Sequence, residues 1–160
     1  MTPADLSEGA STATISGTRG VADLDAILAL ERTGFPAAEQ WSRASWQSEL
    51  TSPSLQVLVA RHDQLVGAIA LRFGPDICDL DRIVVDPQHR RLGVGRALLA
   101  AGLSRAASRG VEQMILEVRT DNAAAIGLYR AYGFAEISRR NDYYGRGRHA
   151  MIMSRAVGEL

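Results

Sequence analysis

The stretch Val84-Val85-Asp86-Pro87-Gln88-His89-Arg90-Arg91-Leu92-Gly93-Val94-Gly95-Arg96-Ala97-Leu98-Leu99 constrains this chain more than any other. Ile83 to Val85 is a β-branched apolar run, as a buried strand requires. Asp86-Pro87 stops that strand, because proline has no N–H to give to a ladder. From Ala97 onward the sequence is rich in alanine and leucine, the strongest helix formers. Gly93 and Gly95 lie between, where a missing Cβ lets the backbone bend or a ligand come close. A strand, a polar turn and a glycine-punctuated loop thus lead into a helix. The first N–H groups of a helix have no internal partner and lie at the positive end of its dipole, so the loop suits a phosphate or diphosphate. Arg90, Arg91 and Arg96 add positive charge around it.

The details narrow the ligand. A Walker loop needs a lysine after its last glycine, and the chain contains no lysine. A dinucleotide fingerprint needs a third glycine where Leu98 stands. What remains, Arg90-x-x-Gly93-x-Gly95 behind an apolar strand, resembles the acyl-CoA loop of the GNAT N-acetyltransferase superfamily, Q/R-x-x-G-x-G/A. From these six residues alone, a strand-to-helix turn with no ligand stays open as the plainer alternative.

Composition excludes several other classes. The 160 residues suit about one domain with a sizeable core. Eighteen basic and eighteen acidic residues cancel, so no bulk field favours nucleic acid or a membrane surface. A single cysteine, Cys78, excludes an internal disulfide and a cysteine metal cluster. His62, His89 and His149 have no ligand spacing, and no metal is expected. There is no apolar run of spanning length and no basic-then-apolar start, so the expected compartment is the cytoplasm.

Residues 1–11 are small and polar and are expected to be disordered, with one domain over 12–156 and a tail over 157–160. A first strand is expected within 12–19. Asp23 is the expected N-cap of a helix to about Arg32, with Leu24, Ile27, Leu28 and Glu31 at helical spacing. Gly34-Phe35-Pro36 ends it, and Ser42 caps a second helix to about Leu50. Leu55–Arg61 and Leu65–Phe73 read as a hairpin, with Gly67 marking a bulge or a close approach. Ile77–Val85 adds a third strand. The helix after Gly93 runs to about Arg109, with Gly110 at its C-terminus. Met114–Val118 reads as a buried strand interrupted by Glu117. Thr120-Asp121-Asn122 caps a helix with Ala125, Leu128, Tyr129 and Tyr132 on one face. Phe134–Arg140 and Ala150–Met153 are the last strands. A meander followed by strands alternating with helices predicts an α/β chain, a mixed sheet with helices on both faces.

The second informative block is Glu117-Val118-Arg119-x-x-Asn122, then Leu128-Tyr129 and Gly133-Phe134. A carboxylate within an apolar strand is costly unless it is hydrated, paired or used. By position alone an edge glutamate paired with an arginine, Arg119 included, explains it. The spacing is closely similar to RimI-type ribosomal-protein-alanine N-acetyltransferases within the GNAT superfamily. With the acyl-CoA loop, the resemblance spans roughly 83–153. It implies a mostly antiparallel central sheet of about seven strands, splayed at the acetyl-CoA site, with about four helices over its two faces.

The same resemblance implies roles. Glu117 would be the general base and Tyr129 the acid for the departing CoA thiolate, although a tyrosine on a helix facing a sheet reads equally as core. An α-amine has a pKa of ~8, so a modest base suffices, and partial burial would strengthen a carboxylate for that task. Backbone groups of Ile83, Val84 and Val85 would take the pantetheine arm. Arg90, Arg91, Leu92, Gly93, Val94, Gly95 and Arg96 would hold the diphosphate. Asn122 would touch the coenzyme, or serve simply as an N-cap. Phe35-Pro36 and Trp41-Ser42 resemble the family's early Pro-Trp-Ser loop, lengthened here by Ala37 to Gln40. Trp41, Tyr143 and Tyr144 are candidate substrate contacts, with a core role for Trp41 and a solvated loop tip for the tyrosines as the alternatives. The implied acceptor is the N-terminal amine of a protein, foremost an alanine on a small-subunit ribosomal protein. A small-molecule amine and a non-catalytic acetyl-CoA-binding module are the competing readings; the oligomeric state is not legible.

Overall fold

A computed structural model describes residues 13–158 of the chain; the expected disorder over 1–11 lies outside them. The elements are β1 (Thr14–Gly17), α1 (Leu24–Gly34), α2 (Arg43–Thr51), β2 (Leu55–His62), β3 (Gln64–Phe73), β4 (Ile77–Val85), α3 (Val94–Ser108), β5 (Gln113–Arg119), α4 (Ala123–Ala131), β6 (Ala135–Arg140) and β7 (Ala150–Ala156). Seven strands form one mixed sheet in the order β1-β2-β3-β4-β5-β7-β6. β4 and β5 run parallel, while β1–β2, β5–β7 and β6–β7 are antiparallel. This is the expected mixed α/β sheet with four α-helices. The β4–β5 ladder covers only Ile77–Leu80 against Gln113–Leu116. β4 runs on to Val85, beyond the end of that ladder.

The described chain divides into two compact units: residues 13–71 with 82–102, and 72–81 with 103–158. In the first, Leu24, Ile27, Leu28 and Leu30 of α1 and Trp46 of α2 are buried on Val57 and Val59 of β2, Ala68 and Ala70 of β3, and Val84. The opposite face of β3 meets α3. A Cβ on Gly67 would lie 2.9 Å from Leu98 and 3.0 Å from Val94, so this glycine marks a close helix–sheet approach. Gly102 repeats the device lower on α3, against Ile69 and Leu71. Each fully buried aliphatic side chain contributes roughly 1.5–3 kcal/mol, so this two-sided covering of β3 anchors the unit.

In the second unit Cys78, Leu80, Met114, Leu116, Val118, Met151 and Met153 form one buried face, and Leu103 and Ala106 of α3 are also buried. Burial, with nearby Asp79 and Asp81, pushes the Cys78 thiol up to about 12, so it behaves as a small apolar side chain. On α4 the buried residues are Ile126 and Tyr129, whereas Ala125, Leu128 and Tyr132 are only half-buried; the inward face is rotated from the one expected. The expected tail from Val157 starts instead with a fully buried residue, whose N–H donates to the Glu112 carbonyl at 2.9 Å.

Two caps follow the sequence. Ser42 Oγ and Asn122 Oδ1 accept from the N–H groups of Ser45 and Ala125, at 3.1 and 3.2 Å. Asp23 departs from it. It holds the N-cap position of α1, but its carboxylate accepts from Arg19 N–H at 2.7 Å and from Arg61 Nη2 at 2.5 Å. Burial pushes this carboxyl up; the Arg61 hydrogen bond and the Arg19 N–H outweigh burial and hold it below the usual range. A depressed native pKa stabilises the fold above the unfolded pKa of ~3.9, and that stability is lost as pH falls through the native value. Asp23→Asn is expected to cost about 2 kcal/mol at neutral pH, since it leaves Arg61 without its charge partner. Urea midpoints should show the gap to wild type narrowing below about pH 4; an equal gap at both pH values would exclude the charge as its cause.

Candidate active site

In the first unit β4 leads directly into the glycine loop. Asp86 N–H donates to the Val66 carbonyl at 2.8 Å, and the Asp86 carboxylate accepts from Gln88 N–H at 3.0 Å, starting a single 3-10 turn over Pro87–His89. Arg91 and Gly93 then take left-handed conformations, with φ of 65° and 82°. Glycine accepts this freely, whereas at Arg91 it costs on the order of 1 kcal/mol, a strain that clusters at functional loops. α3 starts at Val94, and Ala97 N–H bonds back to the Gly93 carbonyl at 2.9 Å. The N–H groups of Val94, Gly95 and Arg96 precede that bond and point out of the positive end of a 15-residue helix.

Gly95 differs from Gly93. It is helical, and it is not among the glycines with positive φ. Conformational freedom therefore does not account for it, and a glycine inside a helix costs up to about 1 kcal/mol relative to alanine. Its missing Cβ opens space at the amides, which fits a bulky diphosphate approaching the backbone. Arg96 and Leu92 are exposed beside it. Arg90 is committed elsewhere, donating to the Gly34 carbonyl at the end of α1 at 3.3 Å. The Val84 side chain is buried in the core, while Ile83 and Val85 are half-buried.

In the second unit Glu117 projects from β5, opposite Ile152 of β7. Its side chain keeps 33% of its surface, so burial is partial. Arg140 at the end of β6 pairs with it, with Nη1 3.6 Å from Oε1, and Arg119 pairs with Asp121 at 2.6 Å. Tyr143, from the loop after β6, completes the group. A hydrogen bond to Glu117, together with the carboxylate's charge, holds its phenol above the ordinary range, and the Arg140 guanidinium lies 5.3 Å from its ring. Tyr143 and Tyr144 pack edge to face at 5.0 Å.

The loop that presents them is built on Asp142, with φ of 55°. Its carboxylate accepts from Gly147 N–H at 2.6 Å, and its own N–H donates to His149 Nδ1 at 3.0 Å. Aspartate tolerates the left-handed region and bonds its own turn, which explains that residue there. Asp79, on the neighbouring strand, has its carboxyl pushed up by burial and by the Glu117 charge, against the pull of Arg72.

Tyr129 is 4% exposed on α4, edge to face with Phe134 at 5.8 Å. Asn122 caps the same helix. In the first unit the Trp41 ring lies 5.0 Å from Trp46 and 5.1 Å from the Arg82 guanidinium. Within the second unit the structure brings Glu117 and Tyr143 together. The sequence alone assigns no role to Arg140 or Arg82. The pairing of Arg140 with Glu117 has no local signal, because the two lie two strands apart across β7.

The chain belongs to the acetyltransferase (GNAT) family, whose model matches residues 23–134. It is 35% identical over 130 residues to the [ribosomal protein bS18]-alanine N-acetyltransferase of Escherichia coli K12, covering 76% of this chain and 88% of that protein. It is 37% identical over 144 residues to the N-alpha-acetyltransferase RimI of Mycobacterium tuberculosis, covering 86% and 89%. The crystal structure of the ribosomal-protein-S18-alanine N-acetyltransferase from E. coli superposes with a TM-score of 0.83 at 32% identity, over 91% of this chain and 94% of that one.

Proposed function

We propose that this chain transfers the acetyl group of acetyl-CoA to the N-terminal α-amine of a protein in the cytoplasm, foremost the alanine that begins a ribosomal protein. The observation that carries this reading is the partly exposed Glu117 carboxylate, standing in the apolar run Met114–Val118 of β5 between an exposed arginine and a phenol. The similarity to enzymes named for alanine and α-amine acetylation supports it.

The coenzyme supplies an activated thioester. The main-chain N–H groups of Val94, Gly95 and Arg96 would hold its diphosphate, with Arg91 and Arg96 adding charge. Glu117 takes a proton from the acceptor ammonium, directly or through water, freeing the nitrogen lone pair to attack the thioester carbonyl. Tyr129 donates a proton to the sulfur as the carbon–sulfur bond breaks, and the proton that the attacking nitrogen sheds as the amide forms returns to the Tyr129 phenolate, directly or through water. At pH 7 roughly a tenth of an α-amine is already neutral, against well under a thousandth of a lysine amine, so a mild base suffices for the former. Tyr143 and Tyr144 border the approach to Glu117.

The test compares kcat/KM for a short peptide beginning with alanine, the same peptide blocked at its N-terminus, and free amino acids and aminoglycosides. The free peptide should exceed every other acceptor by at least about 100-fold. A preference for a small amine would reassign the substrate, and transfer to none of them would leave a binding module.

A further inference from the structure

The chain between β6 and β7 carries Tyr143 to Glu117, and an imidazole at its far end ties it to the sheet. His149 stands where β7 is about to begin. Its carbonyl accepts from Thr120 N–H at 3.0 Å, which fixes its backbone at the end of β5. Its Nδ1 accepts from Asp142 N–H at 3.0 Å. An imidazole nitrogen accepts only while it carries no hydrogen, so this geometry puts the ring hydrogen on Nε2. The Asp142 carboxylate lies 3.9 Å from the same nitrogen, but it is engaged by Gly147 N–H at 2.6 Å.

Asp142 precedes Tyr143 and has little freedom left. Its φ of 55° is left-handed, and its carbonyl accepts from Gly145 N–H at 3.1 Å. Tyr144 N–H donates to the Arg148 carbonyl at 3.1 Å, and Arg148 N–H to the Gly145 carbonyl at 2.9 Å. These bonds set the shape of the loop. The His149 bond sets where that shape stands relative to β5. From Tyr143 the constraint passes to the carboxylate, because the phenol hydrogen-bonds Glu117. Arg140 reaches both, 3.6 Å from the Glu117 oxygen and 5.3 Å from the Tyr143 ring. Exposed charges hold one another weakly, and a base works best when its direction is fixed. A phenol anchored from behind supplies that direction.

We propose that His149 is a positioning residue: its bare Nδ1 holds Asp142 so that the Tyr143 phenol keeps the Glu117 carboxylate in one orientation. The catalytic consequence rests on the reading of Glu117 as the base; the clamp itself does not. His149 acts through Asp142 and Tyr143 and moves no proton of the reaction.

Two variants of the full chain test this. The His149 side chain is 40% exposed, so substitution there leaves the core intact. His149→Leu removes the acceptor and keeps bulk; His149→Asn keeps an acceptor, its amide oxygen standing close to the place of Nδ1. In His149→Leu the Asp142 amide should exchange at least about fivefold faster. The Tyr143 titration, read by ultraviolet absorbance against the same chain carrying Tyr143→Phe, should fall toward the ordinary phenol range. The kcat for the alanine peptide should drop about tenfold, with the dissociation constant for CoA within about twofold. His149→Asn should return all three to within about twofold of wild type. Wild-type exchange or a wild-type Tyr143 titration in His149→Leu would overturn the clamp, and so would an asparagine variant that restores nothing. A released loop with wild-type kcat would overturn its bearing on the base. A wild-type chain that acetylates no peptide would remove that bearing together with the functional reading, while exchange and titration still decide the clamp.

Discussion

Glu117→Gln should lower kcat for peptide acetylation by about 10²- to 10⁴-fold, the usual contribution of a positioned general base, and leave the dissociation constant for CoA within about twofold. The amide matches the carboxylate in size and hydrogen-bonding reach, so what disappears is proton acceptance and charge. Losing the charge has a second, independent consequence. The Tyr143 phenol is held up by its hydrogen bond to Glu117 and by that charge. Neutralising position 117 should therefore bring the Tyr143 titration down toward its ordinary range, readable by ultraviolet absorbance. Both shifts together identify Glu117 as a base in contact with the loop after β6. Unchanged turnover would remove it from the chemistry.

The second large effect lies on the glycine loop, where two glycines should respond differently. Gly95→Val should weaken CoA binding at least about 100-fold by placing a branched side chain over the amides at the start of α3, and Gly95→Ala should weaken it by less. Because Gly95 is already helical, alanine there should leave urea stability unchanged or raise it by up to about 1 kcal/mol. Stability and affinity thus move in opposite directions at one position. Gly93→Val should lower both, since φ there is 82°, a conformation that a β-branched residue adopts only under strain. Normal CoA affinity in both valine variants, measured by calorimetry, would displace the diphosphate from this loop.

Much of this arrangement is legible in the sequence because the signals are local. The β4–loop–α3 junction, the Ser42 and Asn122 caps and the glycine breaks all depend on residues within a few positions of one another. What escaped depends on partners far along the chain. Asp23 looks like a cap because aspartate caps helices, yet its charge partner Arg61 is 38 residues away. Glu31 stands at a core position of α1, and only Arg82, 51 residues on, explains how a carboxylate can be buried there. On α4, spacing alone puts Ala125, Leu128, Tyr129 and Tyr132 on the inward face and passes over Ile126, but Ile126 and Tyr129 are the buried residues. The pairing of Glu117 with Arg140 follows from strand order, with β7 lying between β5 and β6, which periodicity cannot supply.

The most direct measurement is the site of acetylation on a peptide that offers both kinds of amine, an N-terminal alanine and an internal lysine. After incubation with the chain and acetyl-CoA at pH 7, fragment masses should put a single acetyl group on the alanine nitrogen and leave the lysine bare. An acetylated lysine beside a free N-terminus would contradict α-amine transfer.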